Sequence, residues 1–214
     1  MSTPMLKTIA SAAVFVLVVA AAADGVAQSS SDLPPGVYRG GKVLADARAG
    51  TYTIDPDHTA VLARVQHIGY SWLVFRFERA SGTLGWDPAA PGRSTLSVVV
   101  QTASIATPIK DFAVQLAGDD YLKSAKFPEA TFVSTAVHRV DAEHGKVDGQ
   151  FMLMGTTKPV TFDVELIGAG KGWENRPRLG VHAVARIVPQ DYGFPALFGN
   201  TIEIAVDTEF ERAP

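Results

Sequence analysis

The sequence contains no cysteine. That excludes a disulfide framework, a thiolate metal site and a lipid-modified cysteine at a signal junction. Positive charge is also scarce: 19 Lys and Arg stand against 22 Asp and Glu, for a net charge of −3. Such a chain lacks the field that gathers phosphate backbones, so nucleic acid is not an expected partner. The longest apolar run, Ile9 to Ala23, has 15 residues, short of the roughly 20 that cross a bilayer as a helix. The five histidines, His58, His67, His138, His144 and His182, show neither HxH nor HxxxH spacing, so no metal site is expected from local sequence. No GxSxG elbow is present, which removes the local signature of nucleophilic hydrolysis.

What is there begins with an export signal. Lys7 precedes the apolar run, and the small residues of "DGVAQ" follow it. This pattern predicts cleavage after Ala27 and a periplasmic or secreted protein. Residues 28–50, "QSSSDLPPGVYRGGKVLADARAG", are rich in Ser, Pro and Gly with no apolar period, and read as a loosely packed tether. Residues 51–214 then form the folded domain. Removing residues 1–27 takes away Lys7 and Asp24, one charge of each sign, and leaves the balance unchanged.

The domain reads as all-β. In "KPVTFDVELIG", Val160, Phe162, Val164 and Leu166 share one face, while Thr161, Asp163 and Glu165 share the other. Period two means a half-buried strand. "NTIEIAVDTEFE" repeats the pattern, with Ile202, Ile204, Val206 and Phe210 against Glu203, Asp207 and Glu209. Further strand-like runs are 61–67, 74–84, 95–102, 130–138, 146–154 and 179–188, making about eight strands. Turn-sized separations favour antiparallel pairing in a meander. One segment breaks the pattern: "PIKDFAVQLAGDDYL" opens on Pro108 and stops near Gly118, which predicts a short helix at one end of the barrel or over its edge. "PQDYGFPALFGN" reads as a structured loop in which Asp191, Tyr192 and Gly193 make a turn.

A barrel of about eight strands is just wide enough to be packed solid or to hold one small elongated ligand. Inward positions would be Val61, Ala63, Val65 and His67 on one strand, and Val147, Gly149, Phe151 and Leu153 on another. Small residues mixed with Phe75, Phe77, Phe151 and Phe162 fit an apolar slot, and fit an interdigitated core equally. A compact interaction module with a filled core is therefore the alternative reading. His67 is placed inward, as a packed polar group whose ring can meet a ligand's polar end. A membrane-spanning β-barrel would need an apolar outer band, yet Asp163, Glu165, Glu203 and Asp207 occupy outward positions.

Several pieces resemble the YceI-like polyisoprenoid-binding family: "YTIDPDHT" (52–59), "VQHIG" (65–69), "FRFERASGTL" (75–84), "ASIAT" (103–107), "KFPEATFVST" (126–135), "VDGQFMLMGTTKPVTFDVEL" (147–166) and "DYGF" (191–194). They follow the family's order. The resemblance implies a lipocalin-like antiparallel β-barrel, an exported location, and a long isoprenoid lipid or quinone in the apolar interior. It implies no catalysis and no cofactor. The ligand-lining residues it suggests are Val61, Ala63, Val65, His67, Phe75, Phe77, Phe151, Leu153 and Phe162. The chain departs from the pattern at Phe75, where Gly is usual, at Met154, where His is common, and at Pro189 with Gln190, near a usual Arg. "KDFAVQL" also replaces the usual "RD.HL" of the helix segment. Departures at polar positions weaken a head-group site more than a chain-binding slot.

Overall fold

Alternation of apolar and polar residues, carried through most of the domain, produces long antiparallel strands. The computed structural model describes residues 33–195 and 199–213, apart from the side chain of Trp173. The predicted signal segment 1–27, its cleavage point, the start of the tether and residues 196–198 of the "PQDYGFPALFGN" loop lie outside the described residues. Among the described residues the strands are β1 (Gly50–His67), β2 (Ser71–Phe77), β3 (Ala80–Trp86), β4 (Thr95–Gln101), β5 (Ile105–Ala106), β6 (Glu129–Arg139), β7 (His144–Leu153), β8 (Thr156–Lys171), β9 (Pro177–Ile187) and β10 (Ile202–Arg212). They form one sheet in the order β10-β9-β8-β7-β6-β4-β3-β1-β2-β5, and β10 closes the ring by pairing with β1. Closure removes the exposed sheet edges around the ring.

Eight strands make the barrel, as the sequence predicts, while β2 and β5 extend from it as a lip. The predicted single strand over 74–84 is two strands. Its break at Glu78 and Arg79 lets β2 pair with the second half of β1 and β3 with the first half. Ser104 stitches the break: its carbonyl accepts the Glu78 N–H and its hydroxyl accepts the Arg79 N–H. The predicted helix is α1 (Phe112–Ala117), whose Leu116 is buried over the lip end.

β1 is 18 residues long and starts before the predicted 61–67 run. Its register against β10 shifts between Asp55 and Ala60, around Pro56. Proline has no N–H for the ladder, so a bulge is where it is tolerated. Asp55 serves as the hinge of this bulge. It accepts from the Asp57 N–H, His58 and the Arg178 guanidinium, and Arg178 also reaches Glu209 and Glu211 across the barrel seam. Burial disfavours the Asp55 carboxylate, but hydrogen bonds from His58, Arg178 and Asp57 outweigh it and hold the group below the ordinary carboxylate range. A depressed folded value means stability that is complete above the unfolded value of about 3.9 and is lost as pH falls through the folded one. Asp55→Asn is expected to cost about 1–2 kcal/mol at neutral pH, with the deficit shrinking as the pH is lowered below about 4. Chemical denaturation across that pH range reads the difference directly.

Residues 40–50 depart from the loose tether expected for them. Gly41 exchanges two backbone hydrogen bonds with Ala169 of β8, and Lys42 pairs with Glu143 and Glu165. A 3-10 turn at Leu44–Asp46 follows, Ala47 is wholly buried, and the Ala47 carbonyl accepts the Trp86 indole N–H. These contacts cover the end of the barrel opposite α1. The outward carboxylates are where alternation puts them, each with a basic partner: Asp163 with Lys146, Glu165 with Lys42, Glu203 with Arg64 and Arg186, and Asp207 with His182.

Candidate functional site

Between the two covered ends the barrel is hollow. The cavity has a volume of about 290 Å³ and is walled almost entirely by apolar side chains. It runs from Leu44, Leu84 and Phe210 at the seam end to Ile105, Leu116 and Leu122 beneath α1. Inward residues of β10 from Ile202 to Phe210 line it; that is about 27 Å of strand and roughly 20 Å along the axis of a barrel tilted by about 40°.

Small side chains keep the space open. Ala63 on β1 and Ala183 on β9 line the cavity, and Ala185 lies in phase with Ala183, buried in one cluster with Phe132 and Phe162. Those two rings meet edge to face with centroids 5.0 Å apart. Gly149 permits this, because a Cβ there would overlap the Phe132 ring and the Val133 carbonyl.

Eight of the nine residues expected to line a slot do so: Val61, Ala63, Val65, Phe75, Phe77, Phe151, Leu153 and Phe162. His67 does not. It is exposed, and its strand outruns the barrel, since β1 pairs with β10 only as far as Val65 opposite Ile202. Beyond that row β1 has no β10 partner among the described residues. His67 ends the strand before the turn, its carbonyl accepting the Tyr70 N–H.

Three of the hydroxyls at the wall are already satisfied. Thr59 and Thr208 share a hydrogen bond of 2.7 Å, and Thr59 also donates to the Asp55 carbonyl. Thr102 donates to the Phe127 carbonyl. Charged lining residues come from one stretch, around the β6–β7 turn, where Arg139, Glu143 and Lys146 border the cavity. At the α1 end lie two buried hydroxyls, Ser124 and Tyr192, with no hydrogen-bond partner among the described residues. The Tyr192 ring stands edge to face against Phe151, centroids 5.6 Å apart. Burial, with Asp191 adding to it, pushes its phenol up to about 12, so the group is a neutral donor at physiological pH.

The fold brings together one cluster that the sequence does not suggest. Asp55, His58 and Glu209 place ligand atoms within 4.8 Å of one another. The Arg178 guanidinium already bridges the two carboxylates, so the cluster is an ion-pair knot across the seam.

A family profile described as the YceI-like domain matches residues 52–210. The chain belongs to the YceI-like family. Protein YceI of Escherichia coli O157:H7 is 36% identical over 155 residues, covering 72% of this chain and 81% of that protein. The crystal structure of BcnA from Burkholderia cenocepacia superposes with a TM-score of 0.66 at 20% identity, over 73% of this chain and 98% of that one. A domain from Saccharophagus degradans, described as polyisoprenoid-binding and implicated in plant cell wall breakdown, gives 0.54 at 16% identity, over 78% and 100%. These likenesses place the closed barrel among YceI-like folds.

The departures from the YceI-like pattern now have locations. Phe75 is buried in the cavity wall, its ring 6.1 Å from that of Phe112 on α1. Met154 is buried at the β7–β8 turn with φ of 50° and is not a lining residue. Pro189 opens the 3-10 turn Pro189–Tyr192 that carries the buried Tyr192.

Proposed function

We propose that this chain is an exported carrier that holds a long isoprenoid chain, of quinone or polyprenyl type, inside its barrel for transport, storage or sequestration. The observation that carries this reading is the apolar cavity of about 290 Å³, which a filled interaction module would lack. Its wall is almost entirely apolar, so it selects for hydrocarbon. Burying one isoprene unit would gain on the order of 2–4 kcal/mol, and a chain of several units binds without a strong polar anchor. The description of the Saccharophagus degradans domain as polyisoprenoid-binding agrees with this cargo. Binding, without a chemical step, is the proposed activity.

Organic extraction of the purified protein, followed by mass spectrometry, is expected to release a prenyl lipid. An empty extract, together with failed loading by prenyl lipids, contradicts the proposal. We further propose removal of residues 1–27 on export to the periplasm or beyond. Intact mass of the protein recovered from the periplasm or culture medium tests this, with an N-terminus at Gln28 expected and a retained Met1 contradicting it.

Tyr192 supplies a second test. Removing an unpaired buried hydroxyl should stabilise the lipid-free protein by about 1 kcal/mol, so Tyr192→Phe is expected to melt slightly higher. The hydroxyl lies behind the lining residues, so the same change is expected to leave binding of a prenyl quinone and of a pure isoprenoid hydrocarbon alike unchanged. Weakened binding of the quinone alone would mean that its carbonyl reaches past the wall to Tyr192.

A further inference from the structure

Of the thirteen large apolar side chains exposed among the described residues, seven lie at one end of the barrel, the other six being Val37, Tyr38, Val43, Val133, Val140 and Ile167. Ile68, Tyr70, Trp72 and Val74 are exposed on the β1–β2 hairpin, with Ile109 and Val114 at α1 and Val188 just past β9. Strand register makes them neighbours in height. Val65, Leu73, Ile202 and Ile187 lie on one hydrogen-bonded row at the barrel rim. Trp72 and Val188 stand next to that row, and residues 67–71 project past it. α1 covers the same rim, its Phe112 against Phe75 and its Leu116 in the cavity wall.

Three features separate this end from ordinary surface. First, Ile68 holds a left-handed backbone, φ 50°, ahead of Gly69 at 83°. A β-branched residue is a poor choice there, where Asn or Gly is free of strain. The turn thus keeps an unfavourable residue that it exposes by 68%, beside Tyr70 at 88%, and strain of this kind gathers at functional positions. Second, the hairpin from Val61 to Phe77 contains Arg64 and Arg76 but no carboxylate of its own; Arg64 pairs with Glu203 of β10, which leaves Arg76 as the hairpin's cation without a carboxylate partner among the described residues. Arg64 lies over the Trp72 ring, 5.3 Å from its centroid. Third, the patch is continuous with the lid of the cavity through α1. Around the helix, Lys110, Lys123 and Lys126 accompany Asp111, Asp119 and Asp120, so the net positive charge at this end is that of Arg76.

Tryptophan and tyrosine beside aliphatics and arginine is the composition that settles at a bilayer's headgroup layer. We propose that the β1–β2 hairpin, with the outer side of α1, docks on an anionic lipid bilayer surface, Ile68, Tyr70 and Trp72 entering the headgroup layer. This places the lid of the cavity against the membrane. The inference does not depend on the cargo.

The test uses the chain from residue 28, which retains all the described residues, and vesicles free of prenyl lipid. Co-sedimentation with phosphatidylcholine vesicles containing phosphatidylglycerol is expected, weaker with phosphatidylcholine alone and reduced by salt. Ile68→Asn suits the left-handed backbone, so it is expected to melt no lower than the parent yet to bind at least about tenfold more weakly. Trp72→Ser is expected to act in the same direction, and Val133→Ser, an exposed valine of the barrel wall, to change nothing. Parent protein that stays in the supernatant, or Ile68→Asn protein that binds as well as the parent, overturns the proposal. So does self-association that Ile68→Asn abolishes in the absence of vesicle binding, which would assign the patch to a second copy of the chain. Because no prenyl lipid is present, failure here leaves the carrier proposal standing, and an empty extract leaves membrane docking standing.

Discussion

Phe162→Asp is expected to destabilise the barrel by about 3–5 kcal/mol and to strip it of lipid. Phe162 is buried in the middle of the cavity wall, edge to face with Phe132 and packed with Ala185. Its cross-strand partner is Val147, so a carboxylate there would have no cation opposite and would be left unpaired or forced to protonate. Phe151→Asp makes the comparison sharper. Phe151 lies directly opposite Lys158 on β8, which can pair with the new carboxylate, so its loss of stability is expected to be the smaller of the two. Denaturant melts of both variants in the lipid-free state decide the order. Equal losses would mean that Lys158 does not pair with the new carboxylate.

Ala183→Phe is expected to abolish most cargo binding while leaving the fold in place. Ala183 lies between Val164 of β8 and Val206 of β10 and faces the cavity. A ring added there projects into space that is already empty, so overpacking is modest and the melting temperature should move by only a few degrees. The same ring takes a large part of about 290 Å³, and affinity for a prenyl chain is expected to fall at least about tenfold. This variant separates the cavity from the fold, which Phe162→Asp cannot do. Undiminished binding by a folded Ala183→Phe protein would put the ligand outside the barrel.

Much of this was legible in the sequence because strand alternation is a two-state code. On β8 and β10 the apolar parity lines the cavity and the charged parity faces water, as "VTFDVEL" and "IEIAVDTEF" predict. Parity gives the side of a strand, however, and not its height. His67 shares parity with Val61, Ala63 and Val65, yet it stands past the last β1–β10 pair and meets solvent. The first half of β1 was hidden for another reason: Pro56 interrupts an alternation that Tyr52 and Ile54 otherwise carry. Residues 40–50 are anchored chiefly through backbone hydrogen bonds to Ala169 and by the capping residues Leu44 and Ala47, which leave little apolar pattern to read. The Arg178 knot draws on β1, β9 and β10 and exists only once their register is known. The Tyr192 hydroxyl is legible only in three dimensions, since its role follows from the absence of a partner among the described residues.

Titration of the lipid-free protein with isoprenoids of increasing length tests the hollow barrel most directly. Each added unit should tighten binding by at least about tenfold, until four or five units, at about 5 Å each, fill the roughly 20 Å of lined axis. Beyond that length the affinity should level off. An affinity that is indifferent to chain length, or that never rises above background, would contradict a carrier that holds its cargo by burying hydrocarbon in this cavity.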